Sequence, residues 1–243
     1  MLVKRLGARI AESGWQEVER RLAAGAVAVL PVGSAAKAHG LHLPMNTDYV
    51  QAEWLAERLM EIANVLVWPT VSYGYYPAFI EFPGSCSIPS QAFQELVKHI
   101  LEDIMRTGPA GVLILNTGLS TIKPLQEAIE IFPSDRRPVL ASIYRGRRFH
   151  AVAQQIQQQV YGGHADELET SIMLAIAPDL VNLSQAKAWD AKPLGPGALR
   201  RSDPHHPNYS PQGVCGDPTL ASAEKGKLLL EAILQDLKEL LPV

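Results

Sequence analysis

The 243-residue sequence has only two cysteines, Cys86 and Cys215. Lying far apart, they fit neither a disulfide scaffold nor a Cys-x-x-Cys metal site, and a reducing compartment is expected. No run approaches ~20 uninterrupted apolar residues, so no membrane-spanning helix is predicted. The opening MLVKRLGARIAESGW is basic at its start but lacks an apolar stretch of signal-peptide length, which predicts a soluble cytoplasmic protein. Positive charge is not in excess either: 22 Lys and Arg stand against 25 Asp and Glu, for a net charge of −3. That balance argues against nucleic acid or an anionic membrane as a partner. With 47 % apolar and 19 % charged residues, and 18 Gly and 18 Pro scattered along the chain, disorder and low complexity are excluded. No internal repeat or composition break divides the chain, so residues 1–243 read as a single domain.

What is present is an alternation of short β-type runs and stretches of helical period, the pattern of an α/β layered fold with a mostly parallel sheet. Helices are predicted over 15–24, 47–62, 89–107, 165–176 and 219–240, and strands over 26–30, 65–68, 111–115 and 138–144. The first strand is expected to stop at Pro31, and residues 189–218 read as a long loop able to cover a site. In open α/β sheets ligands bind beyond the carboxyl ends of the strands. The segments after the first three strands therefore supply the candidate chemistry.

After the first strand, Lys37, His39, His42 and Asp48 lie within a dozen residues. Imidazoles and a carboxylate so placed can converge on a divalent metal, although one histidine packed on backbone and one in solvent would serve equally well. The later run Gly162-Gly163-His164-Ala165-Asp166-Glu167 brings a histidine to a helix entrance, with Glu167 on the same face of the first turn. Acidic residues there also answer the helix dipole without any ligand. Asn116, Thr117, Ser120 and Thr121 offer amide and hydroxyl groups for a polar substrate, or simply build a turn. Tyr73 and Tyr75 can wall a pocket or form a subunit contact, and His205 and His206 fit a solvated loop.

Residues 33–48, GSAAKAHGLHLPMNTD, resemble the creatininase family signature G-S-x-E-Q-H-G-x-H-L-P-x-x-T-D, and residues 164–171, HADELETS, resemble its H-A-G-E-x-E-T-S. YGYYPAFIEFPGS (73–85) and GVCGDPTLASAEKGK (213–227) are similar to two further elements of that family, in family order. The resemblance implies a three-layer αβα sandwich, a homohexamer, and metal-dependent hydrolysis of an amide or lactam C–N bond in a small, often cyclic, molecule. By the same resemblance His39, Asp48 and Glu167 are metal ligands, with Asp48 bridging where two ions are present. His164 is a proton shuttle, and the cofactor is one or two divalent ions, zinc first, with manganese or iron as alternatives.

The sequence also departs from the family. The first-signature Glu, a metal ligand, is replaced by Lys37 if aligned two residues before His39, or by Ala38 if aligned one before. A branch of the family reads K-E-H-G-P-H-L-P, and against it Ala38 marks the lost Glu, through natural variation or a Glu-to-Ala replacement. The middle signature N-G-H-G-G-N is here Asn116-Thr117-Gly118-Leu119-Ser120-Thr121, without its histidine. Three ligands suffice for one catalytic ion, so the expected centre is mononuclear, with Lys37 stabilising an oxyanion or pairing with Asp48 in place of a missing cation. The competing reading is a catalytically retired homologue that binds a small molecule or serves in an assembly.

Overall fold

A computed structural model describes residues 5–189 and 197–242. Five strands form one all-parallel sheet: β1 (Ala8–Arg9), β2 (Val27–Val32), β3 (Val65–Val67), β4 (Val112–Asn116) and β5 (Val139–Ser142), in the order β1-β3-β2-β4-β5. The two central strands are buried along their whole length, which is why they read as unbroken apolar runs. Seven α-helices occur among the described residues: α1 (Trp15–Ala23), α2 (Thr47–Ile62), α3 (Ser90–Arg106), α4 (Ile122–Ile129), α5 (Arg147–Ile156), α6 (Glu167–Ile176) and α7 (Ala223–Leu240). Residues of α2, α5, α6 and α7 pack on one face around Val29, Val67 and Leu113. Those of α3 and α4 pack on the other around Leu30 and Ile114, completing the αβα sandwich.

Several boundaries differ from the sequence reading. β2 runs through Pro31 because that residue lies on the side facing β3, which has already ended at Val67, so no ladder amide is needed there. α4 was hidden by Pro124, which falls in the first helical turn, where a missing N–H costs nothing. α5 and the two-residue β1 were likewise not predicted, and the fourth strand gives way after Ser142 to a short 3-10 turn. Residues 190–196 of the expected 189–218 loop lie outside the described residues. The part from 198 on is tied down by Glu81, which accepts hydrogen bonds from the Arg200 side chain and the Arg201 amide. No helix among the described residues is long and apolar enough to cross a membrane.

Candidate metal centre

The loop after β2 carries Lys37 and His39 toward Asp48, in the first turn of α2. All three are buried, and the Lys37 ammonium lies 2.7 Å from Asp48 Oδ2 while His39 Nε2 lies 3.0 Å from Oδ1. Burial alone would raise the pKa of Asp48, but the Lys37 and His39 charges hold it below the usual carboxylate range, so the group is ionised. The faces of Phe79 and Tyr76 lie 5.2 and 5.8 Å from the same ammonium, completing its cradle.

The second half of the site comes from the entrance to α6. Asp166 caps that helix by accepting from the amides of Leu168 and Glu169, and Glu169 reaches back to accept from the Ala165 amide at 2.7 Å. The Asp-x-x-Glu spacing is that of a capping box, with Glu169 taking the amide one residue before the cap rather than that of the cap itself. It turns the Glu169 carboxylate toward the strand ends, with Oε1 3.7 Å from His39 Nε2 and Oε2 3.7 Å from His164 Nδ1. His164 is followed by Ala165, a buried non-glycine residue held at φ 48°, a conformation that stores strain.

Each imidazole has one nitrogen tied to a backbone carbonyl. His39 Nδ1 lies 2.8 Å from the Lys37 oxygen and His164 Nε2 lies 2.7 Å from the Ala38 oxygen. A carbonyl only accepts, so those nitrogens carry the protons. Burial, reinforced by the charges of His39 and Lys37, pushes the His164 pKa well below its ordinary value, so this ring is neutral with its lone pair on Nδ1. The His39 ring, anchored the same way, turns Nε2 toward two carboxylate oxygens, Asp48 Oδ1 at 3.0 Å and Glu169 Oε1 at 3.7 Å. Such a junction is repulsive unless the ring gains a second proton or a cation lies between the groups. One ligand atom each from His39, His164 and Glu169 lie within 4.8 Å of one another, and carbonyl-anchored imidazoles with a carboxylate are a donor set suited to a divalent ion. The residues present therefore fit one such ion, with Asp48 Oδ1 beside it.

This arrangement differs from the one expected by resemblance. Glu167 does not join the cluster: its fully buried carboxylate pairs with Lys225 and accepts from the amides of Gln158 and Gln159. The helix begins at Glu167 rather than at residue 165, and this shift in phase puts Glu169 where Glu167 was expected. Ala38 packs in an apolar cluster with Tyr76, Phe79 and Phe82, so it is Lys37 that faces Asp48. Asn116 spends its side chain on Gly118 and Thr121 in the turn beneath the site, while Thr117 Oγ1 lies within hydrogen-bond reach of the Asp48 and Val32 carbonyls and the residue also lines the cavity. Tyr73 is 55 % exposed and Tyr75 packs beside the α3–α4 core. Neither lines the cavity. His42 pairs with Thr170 Oγ1 at 2.9 Å, outside the cluster.

The cluster opens on a cavity of 1120 Å³ whose walls include Lys37, Phe79, Ser120, Tyr144, His164 and Glu169. Tyr144 was not singled out in the sequence. Its Oη lies 2.6 Å from Gln51 Oε1 and 3.3 Å from Glu169 Oε1, and burial keeps its pKa well above the ordinary phenol value, so it remains a donor.

Residues 11–241 match the family model described as creatinine amidohydrolase. The chain belongs to the creatininase family. It is 29 % identical to the creatinine amidohydrolase of Pseudomonas putida over 95 % of this chain and 94 % of that protein. It is also 29 % identical to the 3-dehydro-scyllo-inosose hydrolase of Thermotoga maritima, over 93 % and 79 % of the two chains. A creatininase structure in a manganese form superimposes with a TM-score of 0.81 at 28 % identity, covering 97 % of each chain, and a mutant creatininase of the same TM-score is described as a Zn-Zn type. Family structures thus carry divalent metal, and this chain has a His/Glu cluster able to hold such an ion.

Proposed function

We propose that this member of the creatininase family hydrolyses a C–N bond of amide or lactam type in a small polar substrate, using one divalent cation, zinc or manganese, held by His39, His164 and Glu169. The observation that carries the reading is the convergence of two carbonyl-anchored imidazoles and a capping-box carboxylate at the wall of the cavity. An ion held by those three side chains would supply acidification of water and polarisation of a carbonyl. The remaining chemistry belongs to the chain. Lys37, a cavity residue held 2.7 Å from Asp48 Oδ2, offers its ammonium to the oxygen on which negative charge develops. His164, with Nε2 committed to the Ala38 carbonyl, holds and orients rather than shuttling protons. Glu169 Oε1, facing both His39 and the Tyr144 hydroxyl, is the acceptor placed to take the proton released by water. The relatives named as hydrolases of creatinine and of an inosose favour small cyclic substrates.

The test is to strip the protein with a chelator, reload it with Mn²⁺ or Zn²⁺, and assay ring opening across lactams and creatinine-type rings. Turnover only in the loaded protein, with cation affinity at least about tenfold weaker in Glu169→Gln, is expected. Silence with every metal and ring would defeat the reading and favour a retired binding subunit.

A further inference from the structure

Asp48 is fully buried, and its two oxygens have different partners. Oδ1 faces His39 Nε2 at 3.0 Å, on the side of the imidazole and Glu169 cluster, while Oδ2 faces the Lys37 ammonium at 2.7 Å. A carboxylate with two faces can bridge two cations, and here one of those faces already holds a cation supplied by the chain.

That ammonium is no ordinary surface lysine. Lys37 is 5 % exposed, and it stands over the aromatic faces of Phe79 and Tyr76. Burying an ammonium is costly unless it is paired and cradled, as this one is. Gly118 of the middle loop also approaches Oδ2: a side-chain carbon there would lie 3.9 Å from it, and glycine brings no side-chain ligand. Among the described residues no second group of histidine, cysteine or acid side chains gathers around Oδ2. The charges agree with the geometry. Two buried carboxylates, Asp48 and Glu169, face one ammonium and leave one negative charge, which suits a single divalent ion better than two.

We propose that Lys37 is the built-in second cation of this centre: its ammonium takes the place on Asp48 Oδ2 that a second metal ion would occupy, so each chain holds one divalent ion beside one ammonium. The inference rests on the proposed single-ion hydrolase site and deepens it. It gives the centre a positive charge that a chelator cannot remove, fixed beside the cavity. It also sets this chain apart from the relative described as a Zn-Zn type.

The test reads metal rather than turnover. Metal content after equilibration with Mn²⁺ and desalting, together with calorimetric titration, is expected to give one ion per chain for the unaltered protein. Lys37→Glu, which reverses the charge and adds a carboxylate at Oδ2, is expected to bind two. Lys37→Gln, which only removes the ammonium, is expected to bind its ion at least about tenfold more tightly because a neighbouring positive charge is gone. Two ions in the unaltered protein, or an Mn²⁺ affinity in Lys37→Gln that is unchanged or weaker, would overturn the inference and leave the hydrolase reading standing. No ion bound by the unaltered protein would defeat the hydrolase reading itself, and this inference with it. Should Lys37→Glu fail to fold, the Lys37→Gln titration decides alone.

Discussion

A histidine sealed inside a protein is a stability device as much as a chemical one, and His42 shows the sign of the effect. Its ring is 2 % exposed, with Nε2 against Thr170 Oγ1 and Nδ1 without a hydrogen-bond partner. Burial, with the charge of His39 second, pushes its pKa down from 6.5 to about 4. Above pH 6.5 the group is neutral folded and unfolded and contributes no pH dependence. Between 6.5 and 4 the unfolded chain binds the proton first, so stability falls with pH, by about 3 kcal/mol in full. Urea unfolding of His42→Gln at pH 7 and pH 4.5 should show a smaller acid loss than the unaltered protein, and an identical loss would refute this role. The same residue-scale logic explains which site residues could be read from sequence. His39, Asp48 and His164 sit in motifs whose residue types announce chemistry. Glu169 was missed because the first-turn argument fixed the helix start two residues early. The Asp166-x-x-Glu169 spacing was the signal that could have corrected it.

At the scale of elements, the site depends on how α6 is held against α7. Glu167 is anchored by Lys225, which also donates to the Leu220 carbonyl and the Gln158 side chain, so the late GDPTLASAEKGK segment braces the helix entrance rather than the cavity. Lys225→Met would strand a buried carboxylate and should cost about 3–5 kcal/mol. Adding Glu167→Gln should restore part of that in a double-mutant cycle read by denaturant unfolding. Gly226 lies where the two helices approach most closely, since a side-chain carbon there would fall 1.9 Å from the Ser171 carbonyl oxygen. Gly226→Ala should therefore lower stability by about 1–3 kcal/mol despite its better helix propensity. The long periodic helices α2, α3 and α7 could be read because one stripe of each is apolar. α4 carries a proline that reads as a breaker, and α5 escaped the reading although it is as long as α6.

At the scale of the whole molecule, the parallel sheet sets where chemistry can occur. β2 and β4 end side by side, Val32 opposite Asn116, and the Lys37–His39 loop and the Asn116–Thr121 turn leave from those ends. Alternation of strand and helix in the sequence carried that information, and so it pointed to the loops that meet at these strand ends. What it could not carry were contacts between distant segments: Lys37 against Asp48 and two aromatic faces, and His39 against Glu169 across the sheet ends. Such contacts depend on the folded register, and the central claim, that one divalent ion sits among His39, His164 and Glu169 with Lys37 beside it, rests on them. Anomalous scattering from crystals equilibrated with Mn²⁺ tests it most directly. The account predicts a single peak per chain bounded by His39 Nε2, His164 Nδ1 and the Glu169 carboxylate. A peak at Glu167, a pair of peaks astride Asp48, or none at these side chains would contradict it.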